Sequence, residues 1–245
     1  MQVPFDWIEP DWPAPPRVRA LVTTRSGGVS GGPYASLNLG TRVGDNAAAV
    51  RENRARLSAA LPSEPRWLEQ VHGTDVVQAE RAEAEPRADA VFTGARDVVC
   101  AVQIADCLPV LLCDRAGASV AAAHAGWRGL SAGVLERAVA TLPSAPEDII
   151  AWLGPAIGPR KFEVGRDVYV AFAGSDREAE PAFEAIREGK WLADLYALAR
   201  LRLRRAGVSA VFGGGLCTFG DPQRFFSHRR DRVTGRHAAC IWIAD

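Results

Sequence analysis

Four histidines and five cysteines carry most of the chemistry open to this chain. One hairpin brings two of them together. The runs Leu108–Cys113 and Ala118–Ala123 flank the segment Asp114-Arg115-Ala116-Gly117. Asp at the first position and Gly at the fourth suit a type I turn. With Arg115 and Ala116 as the two loop residues, Cys107 stands directly opposite His124, Cβ atoms about 4.5–5.5 Å apart. A bulge at Gly117 would shift the register by one and separate them. His72, in the turn-like segment Gln70-Val-His-Gly-Thr-Asp75, could join them only through tertiary folding. His72, Cys107 and His124 would then form a His₂Cys metal set with an open fourth position, the arrangement of catalytic zinc sites. The thiol and imidazole could instead act as nucleophile and base. All three could also be ordinary buried polar residues, because their spacing matches no compact metal motif.

The elements that must position these residues are short and mixed. Val18–Thr23, Val76–Ala79, Val98–Ile104, Leu108–Cys113, Ser119–Ala123, Ile149–Leu153, Val208–Phe212 and Ala238–Ile243 read as strands. Asn46–Leu61 (ended by Pro62), Ser131–Leu142 and Trp191–Ala206 read as helices, with a further one around Asp167–Phe172. Strands follow one another without intervening helices, which predicts mixed sheets in one α/β domain rather than a doubly wound parallel sheet. The domain covers residues 1–245, with 1–16 as a proline-rich extended arm. On the helix Asn46–Leu61, Arg54 falls on the apolar stripe of Val50, Leu57 and Leu61. A charge there requires a carboxylate or an anionic ligand. His124-Ala-Gly-Trp-Arg-Gly129 leads into a helix and could present backbone N–H groups to an anion, or be a plain turn. The arginines of Phe225-Phe-Ser-His-Arg-Arg-Asp231 and Thr234-Gly-Arg-His237 suit either an anion site or a solvated loop.

Composition narrows the function. The 245 residues are 48% hydrophobic and 24% charged, with 29 basic against 29 acidic residues. A net charge of zero lacks the attraction that nucleic-acid binding needs. Apolar runs such as Leu108–Cys113 are too short to span a bilayer. Met1–Pro16 has no basic region, so no signal peptide is expected. Five cysteines without C-x-x-C spacing argue for reduced thiols, and a soluble cytoplasmic protein follows. Walker, zincin and nucleophile-elbow motifs do not occur.

The segments Thr24-Arg-Ser-Gly-Gly-Val-Ser30, Ser36-Leu-Asn-Leu-Gly40, Val43-Gly-Asp45, Asn53-Arg54, Gln70-Val-His-Gly73, Ala88-Asp-Ala90, Ala105-Asp-Cys-Leu-Pro109 and His124-Ala-Gly-Trp-Arg-Gly129 succeed one another along the chain. Leu153-Gly-Pro155, Glu163-Val-Gly165, Cys217-Thr218, Phe226-Ser-His-Arg-Arg230 and Thr234-Gly-Arg236 follow. This set resembles the bacterial purine nucleoside phosphorylase family once labelled polyphenol oxidase or laccase-domain protein, which includes peptidoglycan-editing factors. The resemblance implies an α/β sandwich similar to a cysteine-dependent toxin deamidase. It also implies zinc on His72, Cys107 and His124. The implied reactions are phosphorolysis of adenosine, inosine and methylthioadenosine, with adenosine deamination, so the partners are a purine nucleoside and phosphate. Arg54, Arg229, Arg230 and Asn38 are the candidate binders of substrate or phosphate. Asp106 and Asp75 are the candidate proton-transfer groups. Copper fits less well: there are four histidines, no His-x-His pair, and Met1 is the only methionine. Two rivals are a cysteine amidase editing peptidoglycan precursors and a non-enzymatic small-molecule binding protein.

Overall fold

Residues 5–245 are described by a computed structural model. Its centre is a six-stranded mixed sheet, built from β2 (Val76–Gln78), β3 (Ala90–Thr93), β5 (Leu108–Asp114), β6 (Val120–Ala125), β7 (Ile149–Leu153) and β11 (Ala210–Gly213) in the order β11-β7-β5-β6-β3-β2. β5 is buried along its whole length, which explains the unbroken apolar run Leu108–Cys113. Leu108, Val110 and Leu112 face a layer of helices, whereas Leu111 and Cys113 face a second sheet. That sheet has the order β1-β12-β4, from β1 (Val18–Val22), β4 (Cys100–Ile104) and β12 (His237–Ile243). The two sheets enclose Val102, Leu111, Val120, Ala122, Ile150, Ala239 and Ile241, so the architecture is a mixed α/β sandwich in a single domain.

The helical layer comprises α2 (Trp127–Ala132), α3 (Val134–Thr141), α4 (Arg166–Ala173) and α5 (Leu195–Arg205). The helix expected over Ser131–Leu142 is two helices. Gly133, at φ +102°, breaks the run in a left-handed conformation that favours glycine. The helix expected from Trp191 begins only at Leu195, where Asp194 caps the N–H groups of Tyr196 and Ala197. Trp191 belongs instead to β10 (Lys190–Ala193), the middle strand of a small sheet between β8 (Glu163–Gly165) and β9 (Phe183–Arg187). α1 (Ala47–Ser58) starts at the Asn46 cap and packs Leu57 beside Leu37, Leu39 and Trp67 on the outer face of the second sheet. Within the N-terminal segment, Ile8 bridges Val22, and Trp12 and Ala14 pack against the inter-sheet core. The final helix, α6 (His228–Asp231), is a single turn capped by Ser227. All five cysteines are unpaired. No helix among the described residues is long and apolar enough to cross a membrane.

Candidate metal centre

The hairpin of β5 and β6 differs in register from the sequence expectation, and the difference decides how the centre is built. Asp114-Arg115-Ala116-Gly117 does close a turn, with the Gly117 N–H donating to the Asp114 carbonyl at 3.0 Å. The strands meet only at Asp114 and Ser119, so four residues rather than two form the loop. Pro109 therefore stands opposite His124, and Cys107 is diagonal to it. A shift of two residues keeps both side chains on the face toward the second sheet, because side chains alternate with period two. On the other side of β6, the β3 register continued by one residue sets Asp89 against His124, whose N–H donates to the Asp89 carbonyl at 2.7 Å.

Asp89 organises two of the three candidate ligands. It is fully buried, and its Oδ1 lies 2.8 Å from His124 Nδ1. Because the carboxylate accepts, Nδ1 carries the proton and Nε2 is left to meet an ion. The same carboxylate accepts from the N–H groups of Val71, His72 and Gly73 at 3.2, 2.9 and 2.6 Å. These bonds hold His72 at φ +60°, a conformation a non-glycine residue adopts only under constraint. His72 Nε2 thereby reaches to 3.6 Å from Cys107 Sγ, and the ligand atoms of His72, Cys107 and His124 lie within 4.8 Å of one another. Gly126, just beyond β6, makes room: a Cβ there would sit 2.7 Å from the His72 ring and 3.0 Å from Cys107 Sγ.

Burial alone would raise the Cys107 thiol. The charge and hydrogen bond of His124, then those of His72, outweigh it and bring the thiol down to about 6. Burial likewise opposes the His124 cation, but the Cys107 thiolate and the Asp89 bond push that imidazole up to about 9. For Asp89 itself, burial opposes ionisation, while His124 and the backbone N–H groups hold the carboxyl below its usual range. Metal-free protein should therefore alkylate at Cys107 near neutral pH, while Cys100, Cys113 and Cys240, whose thiols burial pushes upward, stay inert. The thiolate exists above its pKa, so the rate should fall as pH drops through about 6. Iodoacetamide kinetics read by peptide mapping check this. A rate that still climbs steeply through pH 8 would show an ordinary thiol.

The three residues open into a cleft of about 450 Å³, a size that suits a small molecule. Arg42, Arg128, Arg236 and His228 also line it. Arg42 pairs with Glu69 at 2.9 Å. Among the described residues Arg128 and Arg236 have no carboxylate partner within 4.0 Å. Arg236 packs over Gly40, where a Cβ would meet its Cγ at 2.8 Å.

The arginines singled out from sequence stand elsewhere. Arg54 meets the carboxylate alternative: it pairs with Glu85 at 2.8 Å, bonds the Leu39 carbonyl and stacks over Trp67. Arg230 is spent on the carbonyls of Thr218, Phe219 and Phe225 and on Asp231. Arg229 bonds the Glu163 carbonyl and borders a small side pocket rather than the main cleft. Asn38 is fully buried and ties Gly40, Asp45 and the Arg236 backbone together. Asp106, at φ +92°, turns its carboxylate to Thr218 Oγ1 and the Arg229 N–H, both at 2.6 Å. Asp75 is exposed and faces Arg137 at 3.7 Å. Asp89 is not among the residues singled out from sequence, although an acid flanked by Ala88 and the apolar residues that open β3 announces a buried partner by the rule that flagged Arg54.

Fold and site together define a mixed α/β sandwich with a metal-capable His-Cys-His centre at the floor of an arginine-bearing cleft. The chain belongs to the family described as multi-copper polyphenol oxidoreductase laccase, whose model matches residues 19–244. It is 55% identical over 240 residues to a Pseudomonas aeruginosa protein named purine nucleoside phosphorylase, covering 98% of this chain and 99% of that one. It is 57% identical over 240 residues to purine nucleoside phosphorylase YfiH of Escherichia coli, covering 96% and 98%. Among solved structures, protein NMB0706 of Neisseria meningitidis superposes with a TM-score of 0.95 at 53% identity, covering 98% of this chain and all of that one. YlmD from Geobacillus stearothermophilus gives 0.89 at 33% identity, covering 100% and 98%.

Proposed function

We propose that this chain is a purine nucleoside phosphorylase whose active ion is zinc, held by His72, Cys107 and His124. The observation that carries the reading is a three-donor set opening into a cleft that also holds two arginines without carboxylate partners. Relatives at 55% and 57% identity bear the name purine nucleoside phosphorylase. Two imidazoles and one thiolate suit a borderline-soft ion, and three protein donors leave the open position typical of catalytic zinc. Copper-oxidase chemistry fits poorly, since four histidines and a single methionine cannot furnish several copper centres. When bound, the ion supplies Lewis-acid chemistry at its open position.

The chain's own residues do the rest. Arg128 and Arg236 hold phosphate against C1′ of the nucleoside, with the forked geometry that suits its oxygens. The cleft walls orient the purine and displace water from the reacting atoms. Adenosine, inosine and methylthioadenosine are the substrates, and adenosine deamination is a second activity of the same cleft. The lowered Cys107 thiol beside His124 favours one alternative, a metal-free cysteine hydrolase acting on amide bonds of cell-wall precursors. The five unpaired thiols suit a reducing compartment such as the cytoplasm.

Elemental analysis and a nucleoside assay test the reading together. About one zinc per chain is expected, with adenine released from adenosine only when phosphate is present. Arg236→Ala should raise KM for phosphate about tenfold to a hundredfold, the loss expected for a charge-assisted bond. Full activity after exhaustive chelation would favour the cysteine hydrolase. Tight nucleoside binding without turnover would reduce the protein to a binding module.

A further inference from the structure

We propose that His228 is the general acid that protonates the departing purine; this rests on the phosphorolysis reading above. Every other carboxylate or imidazole near the site is committed. Glu69 and Glu85 pair with Arg42 and Arg54. His72 and His124 belong to the metal set, and Asp106 is tied to Thr218 and the Arg229 backbone. Asp75 lies on the surface against Arg137. His228 stands apart from these. Its ring is exposed and lines both the main cleft and an apolar side pocket of about 160 Å³, which also share Cys107.

The orientation of the ring is fixed from behind. His228 Nδ1 lies 2.8 Å from the Arg232 carbonyl oxygen, which can only accept, so Nδ1 carries a proton. Arg232, at φ +62° and ψ −66°, ends α6 in a tight turn whose carbonyl points back to the ring. Nε2 is thereby left for a ligand. When the ring is protonated both nitrogens donate, so Nε2 can present a proton to a ligand while Nδ1 stays bonded to the carbonyl.

The step balances without another reactant. The C1′–N9 bond breaks and its electron pair passes into the purine. Nε2 gives its proton to purine N7, while an oxygen of hydrogen phosphate bonds to C1′. The phosphate's own proton returns to Nε2, which yields free base, ribose 1-phosphate and the starting imidazolium.

A leaving group that needs no proton separates this role from binding. 7-Methylinosine carries a fixed positive charge on its purine, so its base departs without general-acid help. His228→Gln should lower kcat on inosine by about 10²–10⁴, the worth of general-acid catalysis. On 7-methylinosine the same variant should stay within about tenfold of the unsubstituted protein, so the ratio of the two losses is the measurement. Zinc content and thermal melting of the variant, compared with His228→Asn, verify that the fold is intact. Equal losses on both nucleosides would overturn the assignment and leave the phosphorolysis reading standing. No phosphorolysis of inosine by the unsubstituted protein would overturn both.

Discussion

Cys107→Ala is expected to lose zinc and nucleoside turnover together. The three ligand atoms lie within 4.8 Å of one another, and the thiolate would be the anionic donor of the set, offsetting part of the charge of a dication. Two histidines alone hold an ion weakly, so zinc should fall from about one per chain to a small fraction of that. Cys107→Asp should keep part of the metal, because a carboxylate also binds zinc. A nucleophilic Cys107 gives the opposite pattern, with the alanine and aspartate variants equally dead and metal content unchanged. Zinc analysis and adenosine turnover on both variants decide between them. An inactive alanine variant with full zinc would remove Cys107 from the ligand set.

The second large effect is expected at a residue that never touches the ion. Asp89→Asn keeps the shape of the side chain but replaces an acceptor oxygen by an NH₂ group. One or more of the Val71, His72 and Gly73 N–H groups then faces a donor, and His124 Nδ1 loses the carboxylate that fixes its proton. Loss of such a supporting partner typically weakens metal binding about 10–100-fold. Unsatisfied buried groups should also lower the stability of the metal-free protein by about 2–3 kcal/mol. Competition titration against a zinc chelator and urea unfolding measure the two effects. Asp75→Asn is the control: that carboxylate is exposed, and its contact with Arg137 at 3.7 Å belongs to the class of surface pairs worth little. Unchanged zinc affinity in Asp89→Asn would sink the idea that this carboxylate sets the ligands.

The centre was legible from sequence for a reason that tolerates error. The two-residue loop assumed for Asp114–Gly117 is four residues long, yet a register slip of two restores the same faces, and Cys107 still meets His124. A slip of one would have hidden the site. Element type followed from the apolar pattern in β5, β7 and β12, where both faces or long runs are buried. It failed at Trp191, whose apolar neighbours continue into the α5 stripe. Only the Asp194 cap marks where strand becomes helix. Arginine spacing does not reveal which guanidinium is already tied to neighbouring groups, as Arg54 is to Glu85 and the Leu39 carbonyl. Arg230 and Arg236 lie six residues apart and both bond main-chain carbonyls, but of the two only Arg236 lines the cleft.

The place of β6 between β3 and β5 has a consequence for how the protein matures. β3 brings Asp89, and with it the 71–73 loop, to one side of His124; β5 brings Cys107 to the other. None of the three donors is assembled by local sequence, so the set exists only once both ladders have closed on the same strand. A chain with either neighbour undocked offers the ion two donors at most. On the metal-centre reading proposed above, uptake of the ion would be selective for the finished central sheet and by linkage would pull the folding equilibrium toward that state. An ion held by His72, Cys107 and His124 would thus act as an assembly checkpoint, bound only while both flanks of β6 are closed.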